Sequence, residues 1–372
     1  MLLQSSSKSA ISQVNQGHTI LLTGPALIKL AEGRAGCFGA PVKRDSWIAI
    51  PEPRQLPILA EDNCVFEIKI DYGGSWKVVD ESTIPTGWDE AVDVVQRQNG
   101  VEMIVGDVDS GKSSLCTFIA NKCLQQGLRV GIVDGDVGQT DIGPATTISS
   151  SHAVRPILSL QDLNPEISFF AGDTSPSSIT EKVIRSIVRL KNSVAKDTDV
   201  VIVNTDGWIG DPAARRFKEA LLHEIQPDLV LGLSKGGEIE PLLDLVQFAS
   251  LRLSSSPYAR ARSKDERKST REASYRRFLV GSTVTKISQE TTSLRMFDQT
   301  FQSILRWDRK FRGFMVGLLD RDERLLSIGR IRELNDGIAL VETMTTEHPS
   351  ILEIGNIELS SAYGEVGYGV LH

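Results

Sequence analysis

The chain has 372 residues, of which 40% are hydrophobic and 24% charged, and a formal charge of −7. That length predicts two or three domains, the composition is that of a soluble globular protein, and the acidic balance speaks against a basic nucleic-acid coat while leaving room for a local basic site. No apolar run approaches the ~20 residues that span a bilayer and no signal-peptide core opens the chain, so a cytoplasmic setting without membrane contact is expected. Cys37, Cys64, Cys116 and Cys123 form no CxxC pair, and the five histidines are scattered, which argues against a protein-held zinc site. Cys116 and Cys123 lie on one predicted helix and read as its buried face.

Residues 1–84 alternate short β-prone runs (20–22, 26–28, 47–50 and 65–70) with Gly and Pro turns, the pattern of a small antiparallel sandwich or barrel. From about Pro85 the period changes. A helix over 88–98 leads into a strand at 101–105, a helix over 112–126 and a strand at 129–134, which is the βαβ order of a parallel sheet. Buried-strand patterns recur at 168–170, 200–203 and 229–233, with helices over 176–194 and 212–224 between them. After about 283 the short strands and turns return, as at 314–319 and 337–341. The expected fold is α/β: a phosphate-loop domain with a parallel sheet over 85–282, flanked by β-rich domains over 1–84 and 283–372.

The segment Gly106-Asp107-Val108-Asp109-Ser110-Gly111-Lys112-Ser113 matches G-x-x-x-x-G-K-[ST] in full and sits between a strand and a helix that Ser114 continues. Loop amides and the helix N-terminus would cradle phosphate oxygens, Lys112 would add a point charge, and the Ser113 hydroxyl would ligate Mg²⁺. The box Asp134-Gly135-Asp136-Val137-Gly138-Gln139 ends the next predicted strand, at the sheet edge where nucleotide chemistry occurs. Its two carboxylates permit a division between metal support and proton acceptance; the competing reading is a plain Asp-Gly turn. The clasp Asn204-Thr205-Asp206-Gly207-Trp208 ends a further strand. On its own Trp208 reads better as local packing than as a nucleobase platform. Between Tyr258 and Leu279 stand eight Arg/Lys against three acidic residues. Composition alone leaves a solvated helix face open, whereas beside the other motifs a lid of arginines over a transferring phosphate is expected.

Taken together, the phosphate loop, the Asp-x-Asp-x-Gly-Gln box at 134–139, the Thr-x-Gly-Trp clasp at 205–208, the Arg-bearing lid at 262–278 and Gly172-Asp173-Thr174-Ser175-Pro176 resemble the polynucleotide 5′-hydroxyl kinases related to the RNA 3′-end-processing and ribosomal-RNA-processing kinases, including their compact archaeal members. The resemblance covers nearly the whole chain. It implies in-line transfer of the γ-phosphate of ATP or GTP, with Mg²⁺, to the 5′-hydroxyl of an RNA end, with DNA as an open second acceptor. By the same resemblance Asp136 is the base, Asp134 and Asp136 join Ser113 at the metal, and Arg271 and Arg276, with the family's five-residue separation, close over the transferring group. Trp208, Gln139, Thr174 and Thr205 would hold the strand end. Two rival readings are a phosphate-loop GTPase or ATPase switch and a non-catalytic nucleotide-binding scaffold of an RNA-processing complex. Protein partners and oligomeric state are not readable.

Overall fold

The computed structural model describes residues 8–244, 247–296 and 311–369, so the extreme ends of the first and last expected domains and 297–310 lie outside the described residues. The first domain comprises β1 (Lys8–Val14), β2 (Thr19–Thr23), β3 (Ala26–Glu32), β4 (Ala35–Cys37), β5 (Ala40–Pro41), β6 (Trp47–Ile50), β7 (Gln55–Ala60), β8 (Cys64–Ile70) and β9 (Ser75–Val79). They form two sheets, ordered β1-β8-β3-β6 and β5-β4-β7-β2-β9. Alternating burial along β7 and β8 gives each sheet one inward face, and Ile20, Leu22, Ile28, Ile58 and Phe66 fill the space between, as expected of a sandwich.

The central domain runs α1 (Gly87–Gln98), β10 (Gly100–Gly106), α2 (Lys112–Gln125), β11 (Val130–Asp134), β12 (Thr147–Ala153), β13 (Ile167–Phe170), α3 (Thr180–Val194), β14 (Val200–Asn204), α4 (Pro212–Ile225), β15 (Leu229–Ser234), α5 (Glu240–Leu243), β16 (Ser250–Ser254) and α6 (Lys264–Leu279). α1 shows why its sequence is helical: Trp88, Ala91, Val92 and Val95 make one buried stripe, with Asp89 and Glu90 in the first turn and Arg97 in the last. The sheet order is β13-β12-β11-β14-β10-β15-β16. From β11 to β16 the pairings are parallel, but β12 runs antiparallel to both β11 and β13. The expected all-parallel sheet is therefore mixed, because the chain turns back at 135–146 with no crossover helix and parallel pairing needs a crossover.

The last domain holds β17 (Thr283–Ser288), β18 (Ser293–Met296), β19 (Phe314–Leu319), β20 (Leu325–Asn335), β21 (Ile338–Thr343), β22 (Ile351–Leu359) and β23 (Glu365–Tyr368) in one sheet ordered β17-β21-β20-β19-β22-β18, with β23 on β22. It packs on the central domain through Phe170, Tyr275, Leu279, Met315, Ile357 and Leu359. Each such fully buried side chain stabilises the contact by roughly 1.5–3 kcal/mol. Beside this cluster, buried Lys182 of α3 pairs with buried Glu353 of β22, which also receives Arg295 Nη2 at 2.7 Å.

Candidate active site

Three adjacent parallel strands, β11, β14 and β10, bring the motifs together. Asp134 at the end of β11 is in register with Asn204 at the end of β14, which is in register with Ile104 of β10 just before the phosphate loop. The loop is fixed by backbone demands. Gly111 has φ +102°, a conformation that glycine adopts without penalty, and it releases the chain directly into α2. Gly207 lies so close to the loop that a Cβ there would meet the Val108 backbone N at 2.6 Å, which explains the glycine of the clasp. Lys112 is buried, and its ammonium donates to the carbonyls of Gly106 at 3.0 Å and Asp107 at 2.8 Å. Burial pulls its pKa down while Asp136 opposes the shift.

The two box carboxylates have different fates. Asp134 is fully buried, and its oxygens accept from the amides of Asp141 (2.7 Å), Ile142 (3.2 Å) and Asp136 (3.4 Å) and from Asn204 Nδ2 (3.0 Å). It does not line the cavity: four donors already surround it, and Asn204, which donates to it, also places Nδ2 3.4 Å from Ser113 Oγ, so its expected support of the metal shell would be indirect. Burial, with Asp141 next, pushes its pKa to about 7. Asp136 is half-buried and faces the cavity; its Oδ1 accepts from Gly138 N at 3.2 Å and Gln139 N at 3.1 Å. Burial raises its pKa to about 6, against the lowering effect of Lys112.

A cavity of about 900 Å³ joins the loop to the remaining motifs, with Lys112, Ser113, Asp136, Gln139, Thr174 and Trp208 on its walls. Pro53 and Arg54 of the first domain close one side. Gln139 carries a buried Oε1 without a hydrogen-bond partner. Trp208 combines the two alternatives: it stacks on Phe217 at 5.8 Å and donates Nε1 to Asp211 Oδ2 at 2.7 Å, yet still borders the cavity. Asp211 is the N-cap of α4, so one carboxylate fixes both the helix start and the indole. Thr205, expected to touch the strand end, is fully buried and donates to the Ile104 carbonyl at 2.8 Å, so it ties β14 to β10 and does not line the cavity. Asp206 does line it, ion-paired with fully buried Lys218 at 2.6 Å, a contribution that the sequence reading passed over.

The lid differs from expectation. Arg271 borders the cavity, but its guanidinium is bound bidentately to Glu365 at 2.6 and 2.8 Å, which more than offsets burial and raises its pKa. Arg276 is exposed and does not line the cavity. Five residues within a helix turn through about 500°, leaving the two side chains about 140° apart, so they cannot converge. Arg262 and Arg267 converge instead. A capping box between Ser263 and Glu266 starts α6, which makes Arg262 the residue before the N-cap and Arg267 the fourth helical residue. Those two positions meet across a helix start. Arg262 Nη2 reaches Asp109 Oδ1 at 2.8 Å and Arg267 Nη1 reaches Asp109 Oδ2 at 3.3 Å, both on the phosphate loop. The signal available in the sequence was the capping box Ser263-x-x-Glu266 directly after Arg262.

Comparison with known proteins follows the same outline. The family model described as mRNA cleavage and polyadenylation factor CLP1 P-loop matches residues 106–281. A polyribonucleotide 5′-hydroxyl-kinase of Pyrococcus horikoshii is 34% identical over 182 residues, covering 49% of this chain and 50% of that protein. One of Methanocaldococcus jannaschii is 25% identical over 294 residues, covering 65% of this chain and 81% of that protein. The chain spans about half the length of the first curated relatives it matches. A structure of the Clp1p–Pcf11p complex superposes with a TM-score of 0.74 at 13% identity, over 95% of this chain and 99% of that one, and thus shares its fold, including a β-rich domain on each side of the phosphate-loop domain. Residues 106–281, the phosphate-loop core of this chain, match the model of the CLP1 P-loop family.

Proposed function

We propose that the protein is a polynucleotide 5′-hydroxyl kinase that transfers the γ-phosphate of ATP or GTP to the 5′-hydroxyl of an RNA end. The carrying observation is that Asp136 stands in one cavity with Lys112 and Ser113 of the phosphate loop and with Gln139, Thr174 and Trp208 beyond it. A water-directed switch needs no such second half. The named activity of the relatives supports the same reading.

In this mechanism the loop amides and Lys112 hold the triphosphate, and Asp136 takes the proton of the attacking hydroxyl as the oxygen–phosphorus bond forms in line with the departing nucleoside diphosphate. Arg262 and Arg267 stabilise the charge spread over the transferring group, in place of Arg271 and Arg276. Trp208, Gln139 and Thr174 seat the terminal nucleotide. The residues fit a hydrated Mg²⁺: the Ser113 hydroxyl and Asp136 face one cavity, and the neighbouring Asn204 Oδ1 is buried without a partner. Magnesium typically keeps several waters and takes one or two protein oxygens plus phosphate, and when bound it would neutralise charge on the phosphate oxygens. All four cysteines are buried and free, in keeping with a reducing, cytoplasmic setting. Incubation with γ-labelled ATP or GTP, Mg²⁺ and 5′-hydroxyl RNA or DNA oligonucleotides should label RNA. Nucleotide hydrolysis unaffected by any oligonucleotide would instead support the switch.

A further inference from the structure

Asp109 is the third variable residue of the phosphate loop, a position whose side chain the bare motif leaves unspecified. Here it ties the loop to the lid. Its Oδ2 accepts the Arg262 amide at 2.9 Å, its Oδ1 accepts Arg262 Nε at 2.8 Å, and Arg267 Nη1 stands 3.3 Å from Oδ2. Arg267 Nη1 also donates to the Arg262 carbonyl at 2.6 Å, so the two arginines are tied to each other as well as to the carboxylate. The Asp109 side chain is 5% exposed and its backbone is left-handed, with φ +56°. A non-glycine residue is rarely found there, and Asp and Asn tolerate it best.

We propose that Asp109 is the positioning residue of this active site: it holds Arg262 and Arg267 on the phosphate loop before substrate arrives, so that both guanidinium groups are pre-aimed at the transferring phosphate. The proposal rests on the kinase reading above and adds to it a role for a loop side chain. Long arginines free in solvent would lose rotamer freedom at the moment of reaction, whereas a shared carboxylate removes that loss beforehand. One negative charge against two positive leaves the cluster net positive, so it still attracts polyphosphate. The carboxylate stays ionised: burial pushes its pKa up, but Arg262 and then Arg267 outweigh that and hold it below the usual range. Anchoring the Arg262 amide also fixes the chain at the residue before the α6 N-cap, so the register of the whole lid helix is set from the phosphate loop.

The test uses the full chain and the variant Asp109→Asn, which keeps the size and the tolerance for positive φ while removing the charge. Three readouts separate positioning from a fold defect or a direct role in binding. Hydrogen exchange followed by mass spectrometry, without any nucleotide, should show amides of 260–268 exchanging at least tenfold faster in the variant, with 112–125 unchanged. For label transfer to 5′-hydroxyl RNA, kcat should fall tenfold or more while the KM for nucleotide stays within about threefold. In the triple variant with Arg262→Ala and Arg267→Ala, the charge change should slow kcat by less than twofold beyond the arginine pair alone, since Asp109 acts through those residues. Unchanged exchange, or a kcat loss that multiplies fully with that of the arginine pair, overturns the proposal. If wild-type protein labels no oligonucleotide, the kinase reading fails, and the exchange measurement still decides whether Asp109 holds the lid.

Discussion

Asp134 and Asp136 show how much two residues of spacing can separate. Both are carboxylates of one box, yet Asp134 is enclosed by amides and Asn204 while Asp136 opens into the cavity. The sequence indicated that the pair would divide its labour, but which oxygens were already occupied depends on the path of 135–142, which no local pattern reveals. The pKa of Asp136, raised to about 6 chiefly by burial, gives the division a signature in rate. A base must be ionised to accept a proton, so kcat/KM for RNA phosphorylation should rise about tenfold per pH unit below that value and level off above it. A pH–rate profile checks this, and a flat profile between pH 5 and 7 would remove Asp136 from the role.

At the scale of elements, α6 carries two arginine pairs with the same separation and opposite fates. The pair across the helix start meets on Asp109; the pair inside the helix splits, Arg271 to Glu365 and Arg276 to solvent. Glu365, 2% exposed, also accepts from Tyr275 and Tyr368, so Arg271→Ala leaves a buried carboxylate without its charge partner. Equilibrium denaturation of that variant should show a loss of about 3–5 kcal/mol. A loss below about 1 kcal/mol would mean that Arg271 is free for the phosphate after all.

Strand β10 makes a second element-level claim. Glu102 is fully buried with neither oxygen partnered, and burial, with Asp228 next, pushes its pKa to about 8 from an ordinary 4.5. A raised folded-state value means that its contribution is fully present below the unfolded value and is lost as pH rises through about 8. Glu102→Gln should therefore gain stability over wild type progressively from pH 5 to 9, reaching on the order of 3–5 kcal/mol, as thermal or denaturant unfolding at several pH values will show. Legibility followed apolar pattern throughout this domain. β10, β14 and β15 were plain from their Val, Ile and Leu runs, whereas β12, Thr-Ile-Ser-Ser-Ser-His-Ala, was missed because most of its buried side chains carry hydroxyls in place of apolar groups, as at Ser149, whose Oγ pairs with Ser168 Oγ at 2.8 Å.

Over the whole molecule, the three-part organisation was readable because the hydrophobic period changes near Pro85 and again near residue 283. What the sequence could not show is that the parts share one site. The first domain supplies Pro53 and Arg54 to the cavity, and the last holds the lid through Glu365 and α3 through Glu353. The flanking domains therefore border the walls and the lid of a cavity whose proposed phosphate-binding and proton-accepting groups all belong to the central domain. The proposed function requires two substrates there, and the most direct measurement sets wild type beside Asp136→Asn, following label from γ-labelled ATP or GTP into 5′-hydroxyl RNA together with nucleotide binding. The account predicts transfer by wild type, a loss of roughly 10²–10⁴-fold in the variant, and nucleotide affinity retained within a few fold. Transfer by the variant at the wild-type rate, or no transfer by either with nucleotide bound, would contradict it.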